Sequence, residues 1–379
     1  WVVVLMVCLS GLAVWGQEWR LADPSYRLEL PRDHASHPDY RLEWWYYTGN
    51  VSTRSGRRFG FQVTFFRVGI DARPVNPSRW AVRDLFIAHL AVSDIEQQRF
   101  HFADVINRAG VGWAGAATDR YEVWNEQSRV SVDADGTHVL HVQSGVTALF
   151  TKNVSGGSAP SEPEFALDLR LQPGKPWSRN GRDGYSQKGA QAGNASHYYS
   201  LTRMPTAGRI RVGNETFDVT GDSWMDHEFG SSFLEPGQQG WDWFSLQLAN
   251  GWDLMLYRFR RSDGRLDPFS TGALVDPSGR VQPLEAGDFR LTPGRTWMST
   301  ASGATYPVEW SVEVPRFRIA LTVRSVMADQ ELRTGATTGV SYWEGSVIAD
   351  GRWGTAPVRG VGYLEMTGYT GRPMSEVMR

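Results

Sequence analysis

Apolar and polar positions alternate every second residue along most of this chain. In Phe59-Gly60-Phe61-Gln62-Val63-Thr64-Phe65 the residues Phe59, Phe61, Val63 and Phe65 share one face of a strand. The same alternation returns over 139–142, 165–171, 210–219, 254–259, 317–323 and 362–367. Turn residues punctuate these runs: Asn-Glu at 214–215, Asn-Gly at 250–251, Asp-Gly at 263–264 and 350–351, and Pro-Ser-Gly at 277–279. A sustained helical period with caps is absent, so the pattern predicts an all-β chain of antiparallel strands.

Two stretches echo one another. Residues 43–67 and 240–260 each run from an aromatic strand through a polar turn to a second aromatic strand ending in Arg. A second echo pairs 224–230 (WMDHEFG) with 343–345 (WEG) and 362–368. This predicts two β-barrel domains in tandem, 25–232 and 238–372, joined near 231–239, with 153–164 a long hairpin connection inside the first. Closed barrels remove strand edges and leave cups for an apolar ligand. The composition suits this, with 17 Trp, 13 Tyr and 17 Phe beside 40 Gly.

Residues 2–14 form an apolar run too short for a bilayer span, which takes about 20 residues. It reads as the core of a signal peptide, residues 1–16, truncated at its start because residue 1 is Trp. Cleavage would remove Cys8, leaving a mature chain without thiols or disulfides. The expectation is an exported, periplasmic protein; lipoprotein anchoring is disfavoured by the residues before Cys8. Nothing later approaches span length, so it is not an integral membrane protein. Thirty-nine basic against 41 acidic residues give a net charge of −2, which excludes a basic field for nucleic acid.

Nucleophile elbows, phosphate loops and dinucleotide fingerprints are absent, so no cofactor is expected. His138 and His141 sit on opposite faces of a strand, and His34 and His37 lie in a polar loop with Asp33 and Asp39 that is expected to be solvated. No metal set is predicted. The densest chemistry is 221–230 (GDSWMDHEFG), where Asp222, Asp226, His227 and Glu228 crowd beside Trp224 and Phe229. It is either a buried acid/base cluster or a charged surface turn. In 37–47, alternation sends Glu43, Trp45 and Tyr47 to one face and Trp44 and Tyr46 to the other, with Arg67 the partner for a buried Glu43. Tyr198 and Tyr199 alternate, so one of them lines a cavity.

These motifs, in the order HPDYRLEWWYYTGNV, GYSQKG, NASHYYSLTR, DSWMDHEFG, GWDWFSLQLANG, YPVEW, YWEG and GYLEMTGY, resemble the AttH-like group of secreted hydrolases, related to carotenoid 1,2-hydratase and lipocalin-like in fold. The resemblance implies two lipocalin-like barrels. It also implies water addition across a double bond, with His227 and Tyr257 at hydratase site positions. Phe229 and Phe259 stand where a hydratase has Trp and an acid, so Asp226 or Glu228 would have to supply the proton.

The expected function is a hydratase or hydrolase acting on a bulky apolar, lipid- or isoprenoid-like substrate. The catalytic candidates are His227 and Asp226 as an acid/base pair, Tyr257 as donor and Glu43 as support. Trp44, Trp45, Tyr198, Trp224, Trp241 and Trp243 are expected to line the pocket. The alternatives are a lipid or terpenoid carrier linked to an ABC-type export system, and a catalyst that works by confinement alone.

Overall fold

The computed structural model describes residues 19–78, 80–145, 163–232, 234–335, 337–371 and 373–374; the predicted leader and most of the 153–164 connection lie outside them. Two large antiparallel sheets carry the chain. The first begins with β1 (Leu42–Ser52), β2 (Arg58–Gly69), β3 (Asp84–Asp94), β4 (Arg99–Arg108) and β5 (Ala114–Ala116). It continues through β6 (Glu122–Asn125), β7 (Ser128–Val132), β8 (His138–Gln143), β9 (Phe165–Leu171), β10 (Ser178–Arg179) and β11 (Tyr185–Gln187). The long β12 (Ala195–Val212) and β13 (Glu215–Ser232) complete it. The order β4-β3-β2-β1-β13-β12-β9-β8-β7-β6-β5 nearly closes into a barrel. Across the remaining gap the Asn125 amide of β6 donates to the carbonyls of Phe86 in β3 and Val105 in β4.

The second sheet holds β14 (Gln238–Leu248), β15 (Asp253–Arg261), β16 (Thr271–Val275), β17 (Val281–Glu285) and β18 (Arg290–Pro293). A separate ribbon of β19 (Thr296–Met298) and β20 (Thr305–Pro307) follows. Then come β21 (Glu309–Val314), β22 (Ile319–Ser325), β23 (Glu331–Thr334), β24 (Val340–Trp353) and β25 (Ala356–Met366), giving the order β17-β16-β15-β14-β25-β24-β22-β21-β18. The fold is all-β, as the alternation predicts. No helix among the described residues is long and apolar enough to cross a membrane.

Buried apolar side chains occupy both interiors, and the cavity described below is lined from both sheets rather than from inside either one, which corrects the expectation of hollow cups. The predicted face of β2 points inward, and Phe59, Phe61, Val63 and Phe65 join Trp45, Tyr47, Leu140, Leu167 and Met225 in one buried apolar cluster. Phe244, Leu246, Leu256, Trp310, Trp343 and Leu364 fill the second core in the same way. Each such side chain contributes about 1.5–3 kcal/mol by leaving water.

The loop before β1 is corrected too. Instead of being solvated, residues 26–40 pack against the first barrel, with Leu28, Asp33 and Tyr40 buried.

The outer faces of the two sheets then pack on each other. Tyr46, Tyr198 and Trp224 meet Trp243, Met255 and Tyr363 in a third apolar cluster. Polar clamps cross the same boundary. Asp253 accepts from Lys175 at 2.6 Å, Thr202 at 2.8 Å and Arg203 at 2.6 Å, and Asn50 donates to the Gly362 carbonyl at 3.1 Å.

Candidate active site between the two sheets

The segment 221–230 is neither loop nor turn but the second half of β13, so its residues alternate between the barrel interior and the boundary between the sheets. Asp226 takes the outer face, opposite Tyr46 of β1 and Ser200 of β12. Its Oδ1 accepts from the Trp224 indole at 2.8 Å and from the Ser200 hydroxyl, and its Oδ2 accepts from the Tyr198 phenol at 2.9 Å. The Trp243 indole, from the other sheet, donates to that same phenol at 3.3 Å. Burial pushes the Asp226 carboxyl up to about 7 even though these three donors favour its anion, and the charge of Glu228 pushes the same way.

Glu228, two residues on, shares this face. It is ion-paired with Lys188 at 2.7 Å and accepts the Ser196 hydroxyl. The buried Lys188 ammonium lies 4.5 Å from the centroid of the Tyr257 ring.

The second sheet adds two more acids. Glu344 of β24 and Glu365 of β25 are direct partners in register, and Glu365 is also the partner of Trp243. The Tyr46 phenol crosses the boundary to donate to Glu344. Burial, then the charge of Glu365, raises Glu344 well above the usual carboxylate range. Burial pushes Glu365 up to about 7, with Asp226 and Glu228 adding to the rise against a hydrogen bond from Trp241. Opposed carboxyl groups in a buried site cannot both ionise cheaply, so the pair holds a proton into the neutral range.

All four acids face one cavity of about 350 Å³, within the range of small-molecule sites. Its walls are Trp44, Tyr46, Phe66 and Tyr198 from the first sheet and Trp241, Trp243, Tyr257 and Tyr342 from the second, with Lys188 among them. The phenols of Tyr46, Tyr198 and Tyr257 are raised by burial first and by the neighbouring acids second, so they stay neutral donors.

A second polar cluster lies inside the first barrel. The Glu43 carboxylate accepts from His37 Nδ1 at 2.9 Å, His227 Nε2 at 3.0 Å, Arg67 Nε at 3.1 Å and the Ser36 hydroxyl at 2.8 Å. Arg67 also pairs with Asp84 at 3.0 Å. Burial opposes the Glu43 charge, but the two imidazoles and the guanidinium overcome it and hold the group well below its usual value. Burial lowers His227, a shift that Glu43 only partly offsets. The donor atoms of His37, Glu43 and His227 lie within 4.8 Å of one another, a grouping the sequence did not suggest. In this arrangement they are engaged with each other as a hydrogen-bonded lock on the segment before β1.

The pattern of the AttH-like family matches residues 21–369. The chain belongs to the AttH-like family. It is 32% identical to a protein of Nitrosomonas europaea described as an AttH candidate, whose crystal structure superposes with a TM-score of 0.79 over 92% of this chain and 99% of that one. Kievitone hydratase from Nectria haematococca shares the fold at 16% identity, with a TM-score of 0.67 over 90% and 93% of the two chains. Kievitone hydratase of Fusarium solani subsp. phaseoli is 25% identical over 146 residues, a match spanning 38% of this chain and only 40% of that enzyme.

Within this AttH-like fold the sequence-derived candidates divide between the two clusters. Asp226, Tyr257, Trp44, Tyr198, Trp241 and Trp243 line the cavity. Trp224 stands behind Asp226 and holds it through the indole N–H. His227, Glu43 and Trp45 do not line it. They face the barrel interior, where the Trp45 ring stacks on His227 at 5.3 Å. The proposed His227–Asp226 pair therefore does not exist, because adjacent strand residues point to opposite faces. Glu344, Glu365, Tyr46 and Lys188 were missed. One signal could have found the acids: Trp224-x-Asp226, Tyr342-x-Glu344 and Tyr363-x-Glu365 each put a ring and a carboxyl on one strand face.

Proposed function

We propose that this protein is a hydratase or hydrolase that brings water to a bulky apolar substrate in the cavity between the sheets. The observation that carries the reading is the set of acids held near neutral pKa against aromatic walls, with Asp226 and Glu365 both at about 7. The AttH-like family and the likeness to an enzyme named as a hydratase of kievitone support the same class.

In a hydration, a protonated carboxyl of the Asp226 or Glu344–Glu365 groups gives its proton to one alkene carbon, and the π electrons form that C–H bond. The cation left on the other carbon is stabilised by the faces of Trp241, Trp243 and Tyr257. Water closes the second bond as an ionised carboxylate takes its proton, so the acids regain the proton they gave. Ester hydrolysis uses the same groups, with the phenols of Tyr46 and Tyr198 as donors to the carbonyl oxygen. The leader-like run at 2–14 supports export of the mature chain to the periplasm.

The test incubates the purified protein with a panel of esters and polyenes in water enriched in oxygen-18. Mass spectrometry then reads the products. A product carrying one heavy oxygen, lost in Asp226→Asn, is the expected result. A stoichiometric, unchanged ligand with no product from any panel member contradicts catalysis and leaves carriage.

A further inference from the structure

The cavity lining runs outward to Val68 and Leu85, which pair in register one step before the β2–β3 ladder ends at Gly69 and Asp84. The connection between them, described at 70–78 and 80–83, springs directly from the edge of the cavity. Three of its apolar side chains are turned to solvent: Ile70 is 53% exposed, Val75 98% and Trp80 52%. Scattered exposed apolar residues are ordinary, but three on one short loop beside an apolar cavity form a concentrated feature.

Aromatic and basic groups flank Trp80 and the base of the loop. Trp80 meets Trp113 edge-on at 5.9 Å, and the Arg108 guanidinium lies 5.7 Å from the Trp80 ring. Arg83 lies 5.8 Å from Trp19, which packs against Gly69. Arg73 is exposed on the same loop, and Arg41 borders the cavity. Against these stand the exposed Asp71 and the buried Asp84, and Asp84 is already shared by Arg67 and Arg83. Indole rings with arginines beside them, on a loop that exposes Ile70 and Val75, suit the interface of an anionic bilayer, where rings settle at headgroup depth and guanidinium groups meet lipid phosphates.

We propose that the 70–83 loop docks the protein on an anionic lipid surface and presents the cavity edge to substrate dissolved in the membrane. This rests on the reading that the cavity takes an apolar substrate, but the docking is tested without turnover. The full chain is sedimented with vesicles of phosphatidylcholine alone and of phosphatidylcholine with phosphatidylglycerol. The expected result is binding to the mixed vesicles, weakened by salt, and reduced at least tenfold in the double variant Val75→Asp/Trp80→Ser. That variant keeps wild-type turnover of a detergent-dispersed substrate, whereas Asp226→Asn keeps vesicle binding and loses turnover. Loss of catalysis as a reading therefore leaves the docking result standing. No sedimentation with mixed vesicles, or equal sedimentation of the double variant, overturns the proposal. So does a concentration-dependent dimer that the same variant abolishes without any vesicle binding, because the patch would then serve a second copy.

Discussion

Glu344 and Glu365 face each other across the β24–β25 ladder, with the Tyr46 phenol of the opposite sheet hydrogen-bonded to Glu344. Directly opposed like charges destabilise a sheet, and burial magnifies the cost. The arrangement persists because the folded protein keeps protons that free carboxyl groups lose.

That retention has a definite sign. Glu365 is raised from 4.5 to about 7, so between those pH values the folded state binds more protons than the unfolded chain, and stability falls as pH rises. Glu365→Gln removes this dependence. The variant is expected to gain about 1–3 kcal/mol over wild type at pH 8 and little near pH 4, read from urea midpoints at the two pH values. An equal difference at both pH values would show that Glu365 binds its proton no more tightly in the fold than in the unfolded chain.

Tyr198 offers a finer test of Asp226. Its phenol donates to Oδ2 at 2.9 Å and so favours the carboxylate. Tyr198→Phe deletes that bond and raises Asp226 further. If protonated Asp226 is the required acid, the fall of kcat/KM with rising pH moves to higher pH by about one unit. A profile that stays in place assigns the titration to another group.

The sequence carried the fold further than the site. Alternation in 59–65 and 254–259 marks strands because a sheet with one buried face has to repeat every second residue. The inward set at Glu43, Trp45 and Tyr47 follows from the same rule. What alternation could not convey is that both faces of β1 and β13 are buried, one in the barrel and the other against the second sheet. Asp226 and His227 therefore looked like one cluster because they touch along the chain. Glu344 was hidden for a related reason. Its partners Tyr46 and Glu365 come from different strands, and Tyr46 lies 298 residues away.

The inner cluster is predicted to hold structure rather than do chemistry. Glu43→Gln weakens the lock on Arg67, His37 and His227 and leaves buried cations without their counter-charge. A loss of about 3–5 kcal/mol is expected, seen in denaturant unfolding. Turnover per folded molecule should stay within a few-fold of wild type.

Packing between the sheets sets the cavity, and Gly60 tests it. A Cβ there would lie 2.9 Å from Ser346 Cβ and 2.9 Å from the Tyr363 hydroxyl. Gly60→Leu is expected to cost about 1–3 kcal/mol and to weaken binding of an apolar fluorescent probe such as N-phenyl-1-naphthylamine, measured by titration. Unchanged probe affinity would mean that the probe sits elsewhere.

In the proposed reaction the chemistry belongs to the outer face of β13, not its inner one. Side-by-side kcat/KM values for Asp226→Asn and His227→Gln, on a substrate found with the oxygen-18 panel, test it most directly. A loss of at least about a hundredfold is expected for Asp226→Asn with its fold intact, and near-normal turnover per folded molecule for the less stable His227→Gln. The reverse result, an active Asp226→Asn and a folded but inactive His227→Gln, would move the reaction into the barrel and contradict the account.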